Sequence, residues 1–267
     1  MKRVLTITYG AASYLLGFAA LVYLICFVGN IAVPRSIDRG VATPVGEAVA
    51  VNVLLVGLIG VQHSVMARPA FKRLWTRLVP HSIERSTYVV ASGLVFFLLF
   101  WQWRTMPAII WDVMWPPGRL VLQLLFWLGW AIALASTFMI NHFDLFGLRQ
   151  VYLAWRGQPY TELRFRLRLL YRLVRHPLML GFIVAFWASP TMTAGHLLLA
   201  IAITGYISIA LRLEERDLVA ALGDQYLEYR RQVPMLLPWP RRRRAMAGAV
   251  PTAGQVDAAQ QAVRRLQ

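Results

Sequence analysis

The triplet Arg175-His176-Pro177 and the acidic pair Glu214-Glu215 bracket a largely apolar stretch that is interrupted once, at Ser189-Pro190-Thr191. If each half of that stretch is a helix and the interruption a turn, the chain doubles back and brings triplet and pair to one end of a hairpin. Proline suits a first helical turn because its missing N–H would be unpaired anyway, and neighbouring N–H groups are then free to face an anion. Arg175 and His176 add charge-assisted donors for a carboxylate. Glu214 or Glu215 suits an ammonium or the hydroxyl pair of a ribose, and Tyr226 or Tyr229 can cover a purine ring. Tyr171, four residues before Arg175, joins the same cofactor-binding set. Those are the needs of a zwitterionic nucleoside such as S-adenosylmethionine. A plainer reading uses the same residues: an interfacial helix start and a solvated helix exit. Spacing alone leaves both open.

A second group of ionisable residues flanks the upstream apolar runs. His63 ends one run, and His142 and Asp144 directly follow another. An imidazole oriented by a carboxylate is a usual general base, so His142 with Asp144 is the first candidate to take a proton, with His63 and Tyr88 as alternatives. Arg149 either serves that site or pairs with Asp144 structurally. A histidine beside an apolar run also serves as a hydrogen bonder between helices, and both histidines carry that reading. Cys26, the single cysteine, excludes an internal disulfide and reads as a small core residue.

These residues need elements to hold them, and the composition says which kind. The 267 residues are 58% hydrophobic and 15% charged, with a mean hydropathy of +0.53, whereas soluble domains carry about 25% charged residues. Apolar runs long enough to cross ~30 Å of hydrocarbon recur along the chain. Their residues are apolar on every face, which excludes the alternation of an outer-membrane barrel. The expectation is an all-α, polytopic integral membrane helical bundle. Spans fall at residues 8–33, 47–66, 88–103 and 120–140, followed by a C-terminal helical hairpin, 177–189 and 195–211, whose short runs need not fully cross. A cytoplasmic amphipathic helix follows over 212–231, with Leu218, Leu222, Tyr226 and Tyr229 on one stripe. The N-terminal run is too long for a signal h-region and is kept as the first span.

The net charge of +16 raises the question of nucleic acid, but its placement answers differently. Successive connections carry net charges of 0 (Arg35 and Arg39 against Asp38 and Glu47), +4 (five basic residues against Glu84), +1 (Arg104 and Arg119 against Asp112) and +5 (seven basic residues against Asp144 and Glu162). The positive-inside rule then puts both termini in the cytoplasm. Trp101, Trp103, Trp111 and Trp115 read as an aromatic belt on the outer side. Residues 1–240 form the membrane domain. Residues 241–267 form a basic tail, expected to be disordered, whose arginines suit anionic lipid rather than nucleic acid.

Arg175-His176-Pro177, Gly181, Glu214-Glu215, Leu218, Gly223, Tyr226, Tyr229 and Pro234 together resemble the C-terminal signature of membrane methyltransferases related to isoprenylcysteine carboxyl methyltransferase. Gln62-His63-Ser64-Val65-Met66-Ala67-Arg68-Pro69 and Ile83-Glu84-Arg85-Ser86-Thr87-Tyr88 look like the related NnrU-type membrane proteins. Asn141-His142-Phe143-Asp144-Leu145-Phe146-Gly147-Leu148-Arg149-Gln150 completes a likeness to the bacterial methanethiol S-methyltransferases. The resemblance implies methyl transfer from S-adenosylmethionine to methanethiol, giving dimethyl sulfide, in a bacterial cytoplasmic (inner) membrane.

Such chemistry suits a membrane. A sulfonium donor and a thiolate cancel their charges as methyl moves, so a low-dielectric site favours the transfer. The thiol must first lose its proton, which calls for a base or a cationic stabiliser. Two alternatives stand beside this reading. One is a related methyltransferase acting on another thiol, a prenylcysteine or a phospholipid. The other is a haem-binding protein of the NnrU type with His63 and His142 as axial ligands.

Overall fold

The structure, a computed structural model, describes residues 2–161 and 169–238. The chain is an all-α, polytopic membrane bundle. It runs through α1 (Lys2–Gly29), α2 (Val45–Ala67), α3 (Pro69–Trp75), α4 (His81–Gln102), α5 (Pro116–Ile140), α6 (His142–Leu145), α7 (Leu148–Arg156), α8 (Pro177–Trp187), α9 (Ala194–Leu222) and α10 (Asp224–Gln232). Among the described residues α1, α2, α4, α5 and α9 are long and apolar enough to cross a membrane. The expected tail, 241–267, lies outside the described residues.

One end of the bundle gathers charge. There the Tyr9 hydroxyl of α1 donates to Thr87 of α4 (3.0 Å), and Arg68, after α2, pairs with Asp217 of α9 (2.8 Å). The other end carries short strands that the hydrophobic pattern did not suggest. Strand β1 (Val41–Ala42) runs parallel to β2 (Arg104–Thr105), and β3 (Ile109–Asp112) runs antiparallel to β4 (Thr191–Thr193). Strands of two to four residues are too short for a period of two to be read from sequence.

The hairpin differs from its expected form. Helix α8 has 11 residues, about 16 Å at 1.5 Å per residue, so by itself it cannot cross. A turn at Ala188, where the Ser189 N–H donates to the Trp187 carbonyl (2.9 Å), then leads through Pro190 into β4 at the stranded end. Helix α9 has 29 residues, about 43 Å, and does not stop at Leu211. Arg212, Leu213, Glu214 and Glu215 are all good helix formers, so nothing breaks the helix where its polarity changes. The break comes at Gly223, whose φ of 56° and ψ of −132° no side-chain-bearing residue adopts cheaply. The single amphipathic helix expected over 212–231 is therefore two pieces, the last turns of α9 and the separate α10.

Trp103 also corrects an expectation. Trp101 and Trp115 are exposed, as belt residues should be. Trp103 is buried in the core with Phe27, Leu99 and Phe100, and its indole N–H donates to the Ile37 carbonyl (3.1 Å). A buried indole N–H usually finds a hydrogen-bond partner, and a loop carbonyl supplies one here.

Helices α5 and α8 meet backbone to backbone. A Cβ added at Gly129 would lie 2.6 Å from the Ala185 nitrogen, and one at Gly181 would lie 2.6 Å from the Ala133 nitrogen and the Gly129 carbonyl oxygen. Without a hydrophobic force between helices in lipid, such close approach is what binds them. Gly181→Ala should thus lower the melting temperature in detergent, by the ~1–3 kcal/mol of an overpacked core or more. Gly57→Ala, with nothing within 4 Å of its added carbon, should leave melting unchanged or raised.

Candidate active site

A cavity of about 490 Å³ opens between α1, α2, α4, α8 and α9. Its lining on α4 alone runs from Glu84 to Leu99, roughly 22 Å of helix. The floor is apolar, with Leu24, Ile59, Phe96, Leu99 and Leu199; the rim carries Arg68, Lys72, Glu84, Arg85, Glu214 and Asp217. The volume lies within the ~300–1,000 Å³ usual for small-molecule and cofactor sites.

His63 and Tyr88 line the wall, their rings edge to face at 5.7 Å. His63 Nδ1 lies 3.1 Å from the Ile59 carbonyl, one turn back on α2. A carbonyl only accepts, so Nδ1 carries the proton and Nε2 is the basic nitrogen. Tyr206 of α9 lines the same wall, its hydroxyl 3.3 Å from that of Ser64.

The hairpin residues meet as the sequence suggested, but the two glutamates part company. Successive residues on a helix point about 100° apart, so Glu214 lines the cavity while Glu215 turns to the other side. Glu215 is 4% exposed and Arg175 7%. Arg175 donates through Nε to Glu215 Oε1 (2.8 Å) and through Nη1 to the carbonyls of Arg230 (3.0 Å) and Val233. His176 Nε2 sits 3.4 Å from the same Oε1. Backbone N–H groups of Arg175 and His176 donate to the carbonyls of Pro234 and Met235, and the Tyr229 hydroxyl donates to the Tyr171 carbonyl (2.9 Å). Tyr226 is buried and its ring lies 6.1 Å from that of Tyr229. Arg175, expected to offer its donors to a ligand carboxylate, spends them inside the protein. Pro177 opens α8 at its first turn, as expected. None of Arg175, His176, Tyr226 and Tyr229 lines the cavity; Leu178, Met179 and Phe182 of α8 do.

His142 and Asp144 do not form a hydrogen-bonded pair. Asn141 ends α5 with φ 143°, and its side chain accepts from the Asp144 N–H (3.0 Å), so α6 leaves at a sharp angle. His142 then stacks on Phe138 at 4.4 Å, with Tyr14 and Phe146 edge-on or tilted against it. Thr137 donates to the Leu134 carbonyl, so it accepts from His142 Nδ1–H (2.9 Å), and Tyr14 donates to Nε2 (2.9 Å). Both ring nitrogens are occupied. Asp144 instead receives Arg149 Nη1 (3.3 Å) and the Tyr160 hydroxyl (3.2 Å). The occupied nitrogens also leave His142 no lone pair for a haem iron.

Sequence reasoning passed over Lys72, Glu84, Arg85 and Tyr206 as site residues. Lys72 is half-buried; burial first, then the charge of Arg85, pushes its ammonium down to about 8, with Glu84 acting the other way. For Lys72, Glu84 and Arg85, though not for Tyr206 in the middle of α9, a charged residue within two turns of a span end was the available signal. The positive-inside count had already used those residues to set orientation.

A methanethiol S-methyltransferase of Mycobacterium tuberculosis is 68% identical over 242 residues, 91% of this chain and 99% of its own length. The chain belongs to the methanethiol S-methyltransferase family. A second family member, from Bradyrhizobium diazoefficiens, is 54% identical over 88% of this chain and 91% of its own. Nurim of Mus musculus is 30% identical over 179 residues, 64% of this chain and 68% of its own length. No family model and no solved structure matches the chain. The resemblance to the methanethiol S-methyltransferases, completed by residues 141–150, therefore holds, and with it the enzyme class, a membrane-embedded methyltransferase.

Within this family member the Arg175–Glu215 pair is structural mass rather than rim. Glu215→Gln should cost ~3–5 kcal/mol of stability, as when one partner of a buried pair is removed, while Glu214→Gln leaves thermal melting in detergent nearly unchanged. Burial also pushes His142 below the usual imidazole range. The unfolded ring then binds the extra proton below its own value of about 6.5. Stability should be flat above that pH and decline as pH falls through it, and His142→Gln should flatten the decline in melts between pH 7.5 and 5.

Proposed function

We propose that this protein methylates methanethiol with S-adenosylmethionine, giving dimethyl sulfide, inside the cavity beside His63. The observation that carries the reading is the polarity gradient of that cavity: a charged rim suits a zwitterionic nucleoside, and an apolar floor suits a one-carbon thiol. The names of its relatives supply the acceptor. We further place the rim and both termini on the cytoplasmic side of the bacterial inner membrane, on the strength of the connection charges. We read residues 241–267 as a basic tail to the membrane domain, 1–240, whose arginines suit anionic lipid rather than nucleic acid.

The residues present fit the donor. Glu214, on the rim, suits the ribose hydroxyl pair, and the aromatic wall of Tyr88 and Tyr206 suits a flat base. When bound, the donor supplies a methyl group on a positively charged sulfur. The chain's own part is to orient, to exclude water and to manage one proton. Leu24, Leu99 and Leu199 hold the neutral thiol away from water, so that its S–H meets His63 rather than solvent. The proton passes to His63 Nε2, the S–H electron pair makes the new S–C bond, and the demethylated nucleoside leaves with both electrons of the broken bond. His63 then returns the proton to the rim. The Arg175–Glu215 pair acts one layer out, where it fixes the start of α8 against the end of α9.

Production of dimethyl sulfide from methanethiol by the purified protein, measured by gas chromatography, tests the reaction. His63→Ala should lower the rate at pH 7 by roughly 10²–10⁴ with cofactor affinity within a few-fold, and the loss should shrink as pH rises and supplies preformed thiolate. His142→Ala, scaled to folded protein, should keep most of its activity. Loss with pH rescue in His142→Ala and none in His63→Ala would move the base to α6.

A further inference from the structure

The chain holds 28 lysine and arginine residues, and only two are lysines, Lys2 and Lys72. Lys72 is on α3 and Arg85 on α4; both are half-buried and both line the cavity rim. Three other cations near this end of the bundle that are at least partly buried have carboxylate partners: Arg68 with Asp217, Arg149 with Asp144 and Arg175 with Glu215. Among the described residues neither Lys72 nor Arg85 has a carboxylate within ion-pair distance. Glu84, also on the rim, acts on Lys72 by its charge without reaching it as an ion pair.

Two neighbouring cations held partly out of water with no partner are costly unless an anion arrives from outside. The depressed ammonium of Lys72 reports that cost, since Arg85 is one of its causes. A carboxylate set between them would remove it. Glu84, on the same turn as Arg85, leaves a single negative charge next to the anion site, where a ligand's ammonium would fall. Lysine has the geometry for this task, with a compact charge on a flexible four-carbon stem that can follow a ligand, whereas arginine would impose a planar fork.

We propose that Lys72 and Arg85 bind the carboxylate of the methyl donor's methionine moiety, and that Glu84 binds its ammonium. The assignment rests on the function proposed above and deepens it. It places the amino-acid end of the nucleoside against α3 and the start of α4, and leaves Glu214, on α9, to the ribose.

The test uses two ligands titrated calorimetrically into the purified full chain in lipid nanodiscs. S-adenosylhomocysteine carries the carboxylate and the ammonium; 5′-deoxy-5′-methylthioadenosine carries neither. Lys72→Met and Arg85→Gln should each weaken S-adenosylhomocysteine by at least about tenfold, as expected when a charged group loses its partner, and leave methylthioadenosine unchanged. Glu84→Gln should weaken only the first ligand as well. Lys72→Gln serves as a second variant, and melting curves show that each is folded. Equal loss of both ligands would mean that the cations only shape the cavity, and unchanged S-adenosylhomocysteine affinity would put its carboxylate elsewhere. Either result overturns the subsite. So would variants that lose only their dependence on phosphatidylglycerol in the disc, because the anion would then be a lipid phosphate. Wild-type protein that binds neither nucleoside would instead overturn the reading of the cavity as the cofactor site.

Discussion

A charge taken out of water must be met by another charge and by enough hydrogen bonds to satisfy both, and in this protein that constraint falls on Arg175 and Glu215. Glu215 is carried by the last turns of α9 and Arg175 precedes the first turn of α8, so their contact locks the two arms of the hairpin together. The remaining guanidinium donors go to the carbonyls of Arg230 and Val233, which ties down the end of α10 and the residues after it. Three segments distant in sequence are fixed by one side chain. The cost of burying it is offset only when all three are in place, so this corner of the molecule assembles as a unit.

The cavity depends on that corner. Its walls are long helices, but its rim is where α8 begins and α9 leaves the apolar layer, and both positions are set by the ion pair. The glycine contact between α5 and α8 acts in concert by holding α8 close enough for Leu178, Met179 and Phe182 to face the cavity. A short helix completed by a turn and β4 lets the hairpin reach the stranded end without displacing these side chains. At that end Trp103 and its neighbours close the core around Phe27 and Ile37.

The cavity's polarity also fits the reaction proposed for it. Thiol and sulfide are small and apolar, and both dissolve in the bilayer that surrounds the bundle. A charged donor, by contrast, must enter from water. Where two such reactants meet, the site must be wet at one end and dry at the other, and the methyl must move near the boundary. His63 and Tyr88 stand on the wall between rim and floor, whereas His142 stands in an aromatic cage with both nitrogens engaged.

Sequence alone settled the class of molecule, because ~20-residue apolar runs have one physical solution in a bilayer, and the spans of α2 and α5 were legible almost to the turn. It also showed that Arg175-His176-Pro177 and Glu214-Glu215 share one end, since a turn between two apolar runs permits nothing else. Which way each side chain faces was decided by the tertiary structure. Glu214 and Glu215 are adjacent and chemically alike, yet one helical step of about 100° puts the first in the cavity and the second against Arg175. His142 and Asp144 looked like a catalytic pair by spacing, but the left-handed turn at Asn141 sends them to different partners. Lys72 and Arg85 read as topology-setting charges, and only the packing of α3 and α4 around the cavity shows that, among the described residues, no carboxylate pairs with them. Sequence records residue type and period, both local; the pairing of buried charge joins segments forty residues apart, and only the folded chain brings these together.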